Sequence, residues 1–181
     1  MVTKSAVKYS SLSKVFHWGI ALAVIAMLTI GFFLDDVPTQ FKGTAYMLHK
    51  STGITILFLM ILRLIFINAS GKPALPNAMK LWEKVLSRFV QYSFYLLLLI
   101  MPLSGWIMSV AGNKIPVYFG MFKAPLPWIE SNKQLAKVMD KTHEVIAWIL
   151  IAFIVLHILG ALKHHFIDKD NILRTMLPEK K

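Results

Sequence analysis

The chain has 181 residues, 56% of them hydrophobic, with a mean hydropathy of +0.60 and a formal net charge of +11. That apolar share exceeds an ordinary soluble domain's and marks a membrane protein. With no cysteine there is no disulfide, no iron–sulfur cluster and no thioether-attached haem. The positive charge is spread between long apolar runs, and no basic, aromatic-interleaved nucleic-acid module is present, so a basic rim around a membrane protein accounts for it.

Four stretches approach the roughly 20 apolar residues that cross a hydrocarbon core: Val15–Leu34, Tyr46–Ile67, Phe89–Val110 and His143–Leu162. The first follows three lysines but is long and lacks a small-residue cleavage site, so it reads as a retained helix. A short acidic link with Asp35, Asp36 and Pro38 follows it. Next comes a Pro- and Gly-containing link, NASGKPALPNAMKLWEK, and then a long link from Ala111 to Thr142 with Pro116, Pro125 and Pro127. Within the long link Leu135, Val138 and Met139 share one face, which predicts a short amphipathic segment over Asn132–Lys141. The expected fold is an all-α membrane protein, a four-transmembrane-helix bundle forming one domain over residues 1–181. A cytoplasmic N-terminus places thirteen Lys and Arg inside against seven outside, so both termini are expected in the cytoplasm.

The histidines sort by depth. His17 opens the first helix near the inner face, while His49 and His143 open the second and fourth near the outer face. His157 follows His143 by 14 residues, about 21 Å deeper and within about 40° of the same azimuth. Two cross-helix pairs result, His49 with His143 outside and His17 with His157 inside. Two imidazoles at matching depth on different helices suit the two faces of one haem iron. A zinc centre would gather three or four converging ligands, often carboxylates, and Glu144 alone lies near. For any one of these histidines, a helix–helix hydrogen bond or an interfacial role is the ordinary use; four falling into two pairs favour coordination, because unpaired buried imidazoles are costly.

Other residues carry two readings each. Arg63, 14 residues after His49, is either a haem-propionate partner or a snorkelling arginine that reinforces topology. Lys50 and Lys141 have the same propionate option at the outer pair. Gly53 and Gly160 leave space beside His49 and His157, or mark close helix packing. Pro102 kinks the third helix, which carries no histidine and is assigned to packing. Lys114, Lys123, Lys133, Lys137 and Lys141 in the long link are either a funnel for a small anion or solvated loop lysines. His164, 7 residues after His157, sits on the same stripe about 10 Å further along; it is either a proton donor to a quinone or an interfacial anchor. His165 faces away and reads as an anchor.

These segments resemble the bacterial cytochrome b561 family over nearly the whole chain. The resemblance is carried by SLSKVFHWGIAL, by MLHKSTGITILFLMILRLIF, by LIMPLSGWIMS and, most specifically, by KTHEVIAWILIAFIVLHILGALKHHFIDKDNILRTMLP. In particular it resembles the small cytoplasmic-membrane members that act as superoxide:quinone oxidoreductases. The resemblance implies two b-type haems on His17 with His157 and His49 with His143, and ubiquinone or a related quinone as acceptor. It also implies superoxide as donor in the bacterial inner membrane, and the matching family position supports the quinone role of His164. The alternative is an anchor subunit passing electrons to or from a partner dehydrogenase or hydrogenase; a haem-free transporter is disfavoured by the lack of paired broken helices. No nucleotide, phosphate-loop or hydrolase motif is present.

Overall fold

Four helices account for the apolar stretches in the computed structural model, which describes residues 10–70 and 79–177. They are α1 (Ser11–Phe33), α2 (Thr39–Ser70), α3 (Leu81–Ala111) and α4 (Lys133–Phe166). All four are long and apolar enough to cross a membrane. Lys4, Lys8, Lys72, Lys180 and Lys181, which contribute to the charge bias, and the 71–78 part of the second link lie outside the described residues.

Each helix is longer than its apolar stretch, and at the starts of α1, α3 and α4 polar side chains set the end where hydropathy sees nothing. Ser10 Oγ accepts from Ser13 N at 3.2 Å at the start of α1, and Asn132 Oδ1 accepts from Leu135 N at 2.9 Å at the start of α4. Glu83 Oε2 accepts from Lys80 N at 3.1 Å, closing the first turn of α3. The amphipathic segment expected over Asn132–Lys141 is therefore no separate element. It is the opening of α4, since no breaker separates Lys133 from Thr142.

Neighbours in sequence pack together: α1 on α2, α2 on α3, and α3 closely on α4. By contrast α4 stands off from α1 and α2, touching them through side chains such as Phe32 against Trp148, 5.1 Å between ring centroids. The best-buried apolar cluster is Ile20 and Val24 of α1 with Ile56 and Met60 of α2, with Tyr95, Leu98 and Ile154 packed against it. The outward faces keep large exposed side chains, Leu22, Phe58, Leu96 and Leu159 among them. In water such a surface would aggregate; in lipid it is the solvated face.

The long link is ordered against the bundle. It contains a two-stranded hairpin, β1 (Val117–Tyr118) with antiparallel β2 (Phe122–Lys123), turning through Phe119 and Gly120 with φ of 43° and 78°. Fully buried Ser51 of α2 accepts from Phe119 N at 2.8 Å, and Thr55 Oγ1 lies 3.0 Å from Tyr118 Oη. Trp106 Nε1 donates to Ala124 O at 2.9 Å, and Ser109 Oγ donates to Lys114 O. These bonds satisfy irregular backbone near the lipid boundary. At the opposite end the chain turns after α4 into a 3-10 turn, Leu173–Met176, which returns to α1: Trp18 Nε1 donates to Met176 O at 2.8 Å and Lys14 Nζ to Leu177 O at 3.1 Å. The start of α1 and the end of the described chain thus share one end of the bundle.

Candidate functional site

The slot between α4 and the α1/α2 pair is bridged by imidazoles at two levels. His17 of α1 and His157 of α4 have ring centroids 6.2 Å apart, with planes at 63°. His49 of α2 and His143 of α4 are 6.3 Å apart, at 71°. Both expected pairs are brought together, each across different helices. Between the two levels lie Leu150, 0% exposed, and Met60, 1% exposed.

The spacing is chemically informative. A metal–nitrogen bond of about 2.0–2.1 Å, plus about 1.1 Å from nitrogen to ring centroid, puts two imidazoles on opposite sides of one metal about 6.3 Å apart. The same bonds at a tetrahedral zinc would bring the centroids to about 5.2 Å. At 6.2 and 6.3 Å, each pair has a separation at which its two imidazoles could hold one haem iron between them.

Hydrogen bonds define which nitrogen is available. His143 Nδ1 lies 2.9 Å from Met101 O and 3.1 Å from Ser104 Oγ, and the Ser104 hydroxyl itself donates to Met101 O at 2.7 Å. The carbonyl can only accept, so His143 carries its proton on Nδ1 and leaves the Nε2 lone pair for a metal. His49 Nδ1 is a buried polar atom without a hydrogen-bond partner, the sort of group a bound cofactor's environment is expected to reconcile. Phe94 of α3 sets its ring edge-on to His157 at 5.5 Å. Arg63 Nη2 donates to His17 Nδ1 at 3.1 Å. Arginine has no acceptor, so this bond places the neutral ring's proton on Nε2. Ligation through His17 Nε2 requires Arg63 to give up that bond, and a propionate carboxylate beside His17 is a group its guanidinium can donate to.

Around His49 and His143 opens a cavity of about 380 Å³, within the range of organic-cofactor sites. Gly31, Gly53 and Gly105 lie on its wall, as does Lys50. A Cβ at Gly105 would stand 2.9 Å from His143 Cε1, and one at Gly31 would stand 3.5 Å from His49 Cε1. A Cβ at Gly53 or Gly160 meets nothing within 4 Å. The third helix is thus more than packing: Met101, Ser104 and Gly105 orient His143 and make room for it. Sequence reasoning missed them because α3 has no histidine, although the small pair Ser104–Gly105 after Pro102 in a helix of bulky residues was a signal. A larger hollow, about 670 Å³, lies over Leu81, Trp82, Val85, Leu86 and Phe89, but it is an open outward-facing groove with no titratable lining.

Of the five lysines expected in the long link, Lys114 and Lys123 lie there and Lys133, Lys137 and Lys141 lie on the opening turns of α4; all are exposed, and none lines the cavity. Lys141 Nζ is paired with Glu144 at 2.8 Å, and Lys50 Nζ donates to Lys114 O at 3.2 Å. The cavity mouth carries Asp35, Asp140 and Glu144 beside Lys50. At the other end His164 is buried, 9% exposed, because the turn after α4 folds over it. Its Nδ1 meets Asp170 Oδ2 at 2.8 Å and Asp168 Oδ2 at 3.0 Å. Lys163 bridges Asp168 and Glu83, both at 2.7 Å, and holds the Asp168 carboxyl below the usual carboxylate range. His165 sets its ring edge-on to Phe166 at 4.8 Å.

Comparison with known proteins agrees with this geometry. A family model described as prokaryotic cytochrome b561 matches residues 8–179. The chain is 31% identical to cytochrome b561 homolog 2 of Escherichia coli (strain K12), over 97% of this chain and 94% of that one. It is also 31% identical to a probable superoxide oxidase CybB of Yersinia pestis, over 96% and 98%. Cytochrome b561 homolog 1 of Escherichia coli (strain K12) is 26% identical, over 96% and 99%.

Proposed function

This chain belongs to the prokaryotic cytochrome b561 family, a multi-pass inner-membrane electron-transfer protein, and on that premise we propose that it oxidises superoxide at the outer end and reduces a membrane quinone at the inner end. The observation that carries the reading is the pair of cross-helix histidine contacts, 6.2 and 6.3 Å between ring centroids, at two levels of one bundle. Two b-type haems, one held by His49 and His143 and the other by His17 and His157, would supply one-electron chemistry along the bundle axis.

The chain's own residues do the rest. Met101 and Ser104 fix the His143 tautomer, while Ile20, Val24, Ile56 and Met60 keep water out between the two levels. Arg63 lies beside His17, where a propionate's charge would be met. Lys114 and Lys123 of the link, with Lys133 and Lys137 of the first turns of α4, give this end of the bundle an exposed positive field, with Lys141 offset by Glu144. Such a field concentrates a small anion. Superoxide gives up one electron and leaves as O₂; a quinone takes two electrons and two protons, and His164 at the inner end exchanges the proton with the quinone oxygen. The named superoxide oxidase relative supports this donor.

One observation favours the second reading, an anchor subunit for a partner dehydrogenase or hydrogenase. The cavity is lined by the carboxylates Asp35, Asp140 and Glu144 beside Lys50, charged groups of both signs with which a docked protein donor can pair. The test is visible spectroscopy of the purified protein during superoxide generation, followed by a soluble quinone. A b-type α-band that appears with superoxide and bleaches with quinone supports the first reading. Haems inert to superoxide move the assignment to the anchor subunit, and a colourless protein overturns both.

A further inference from the structure

His164 has a better-defined environment than an interfacial anchor needs. Its Nδ1 faces Asp170 Oδ2 at 2.8 Å and Asp168 Oδ2 at 3.0 Å. An ionised carboxylate only accepts, so Nδ1 is the donor and the neutral ring keeps its lone pair on Nε2. Both acids are themselves seated. Asp170 N donates to His164 O at 3.1 Å, and Asp170 Oδ1 accepts from Ile172 N at 2.9 Å, so the carboxylate is locked into the turn that closes over the ring. Asp168 Oδ2 is shared with the Lys163 ammonium at 2.7 Å, and Lys163 is tied in turn to Glu83 Oε1 of α3. Lys163 therefore compensates Asp168, whereas the Asp170 Oδ2 bond goes to the imidazole.

We propose that Asp170 is the positioning residue for proton exchange at His164, holding the tautomer in which Nε2 is the exchanging atom and carrying the compensating negative charge when the ring is doubly protonated. The inference rests on the reading of His164 as the residue beside the quinone. Two electrons from the chain's electron-transfer activity and two protons convert one quinone to one quinol. In each proton step the Nε2–H bond of the doubly protonated ring breaks and a quinol O–H bond forms. The ring is left neutral with Nδ1–H on Asp170, and water at the membrane face returns a proton to Nε2. The arrangement is that of a carboxylate–histidine dyad, in which the acid orients the ring and does not itself transfer the proton.

The charged groups around the ring are consistent with this role. They are Asp168 and Asp170 from the turn, Lys163 from α4, and Glu83 and Lys80 from the start of α3. His164, Asp168 and Asp170 also offer ligand atoms within 4.8 Å of one another. Lys163 already brings a positive charge to Asp168 Oδ2, the oxygen a metal ion would need, which favours the proton reading.

The test follows reoxidation of the haem-loaded, chemically reduced protein by a short-chain soluble quinone in stopped flow, over a pH series, for Asp170→Asn, Asp170→Glu and His164→Gln. Asp170→Asn should slow quinone-driven reoxidation about tenfold or more and alter its pH profile, with haem content and chemical reduction unchanged. Asp170→Glu should recover most of the rate. Asp170→Asn at the native rate and profile, with His164→Gln slow, overturns the dyad and leaves His164 beside the quinone; His164→Gln at the native rate overturns both. Loss of haem in Asp170→Asn, no recovery in Asp170→Glu, or a rate abolished by chelator and restored by a divalent cation also overturns the proposal.

Discussion

His143 Nδ1 stands 2.9 Å from the main-chain oxygen of Met101, so a helix without a histidine fixes the ring of a histidine on its neighbour. Sidedness follows from this bond. With Nδ1 committed, only Nε2 can turn toward His49 across the slot, and the bond's loss would free the ring to rotate.

Gly105 protects that orientation. Gly105→Ala adds a Cβ that would meet His143 Cε1 at 2.9 Å, and overpacking of this kind costs about 1–3 kcal/mol. The expected outcome is a folded protein with less haem at the His49–His143 level, read as a fall in the haem-to-protein ratio. Gly160→Ala, whose Cβ would meet nothing within 4 Å, should leave that ratio unchanged.

The two histidine pairs should be separable. His49→Ala or His143→Ala should remove one haem and spare the other, and His17→Ala or His157→Ala should do the converse. The haem-to-protein ratio would halve in each single variant and vanish in His49→Ala combined with His157→Ala. Loss of both haems in any one single variant would mean that the levels do not bind independently.

Charge at the outer loop predicts a salt-dependent rate. Replacing Lys114, Lys123, Lys133 and Lys137 together by Gln should lower the bimolecular rate with superoxide about tenfold and flatten its dependence on ionic strength. Lys141→Gln alone should do less, because its charge is already offset by Glu144 at 2.8 Å. An unchanged rate in the fourfold variant would leave the lysines a solubilising role.

Asp168 ties acid stability to the closing turn. Lys163 holds its carboxyl below the ordinary value of 3.8, so folding binds fewer protons than the unfolded chain in that range. Its contribution is fully present above the unfolded value and is lost as pH falls through the lower folded one. Thermal melts of native protein and Asp168→Asn should differ by a constant amount above about pH 5 and converge as the pH drops toward 2. A constant difference down to that pH would mean that the Lys163 pairing contributes nothing.

Composition, run length and histidine spacing were enough for a four-span bundle and for two cross-helix pairs. Hydropathy reports solvent, and a 14-residue step on a regular helix has one geometric meaning. The helix ends escaped this reading because they are set by caps such as Asn132 and Glu83, whose oxygens act on single backbone amides and leave no periodic trace. The roles of Met101, Ser104 and Gly105 escaped it too, since a main-chain oxygen and a missing Cβ carry no residue-type signal of chemistry. The burial of His164 is not legible from helix spacing, because it depends on Asp168 and Asp170 folding back over it. The sequence alone determined which residues share a depth and an azimuth, because one helix's geometry fixes both. Only the tertiary structure decided which nitrogen of each ring is free, because that depends on what the neighbouring helix or turn places within hydrogen-bond reach.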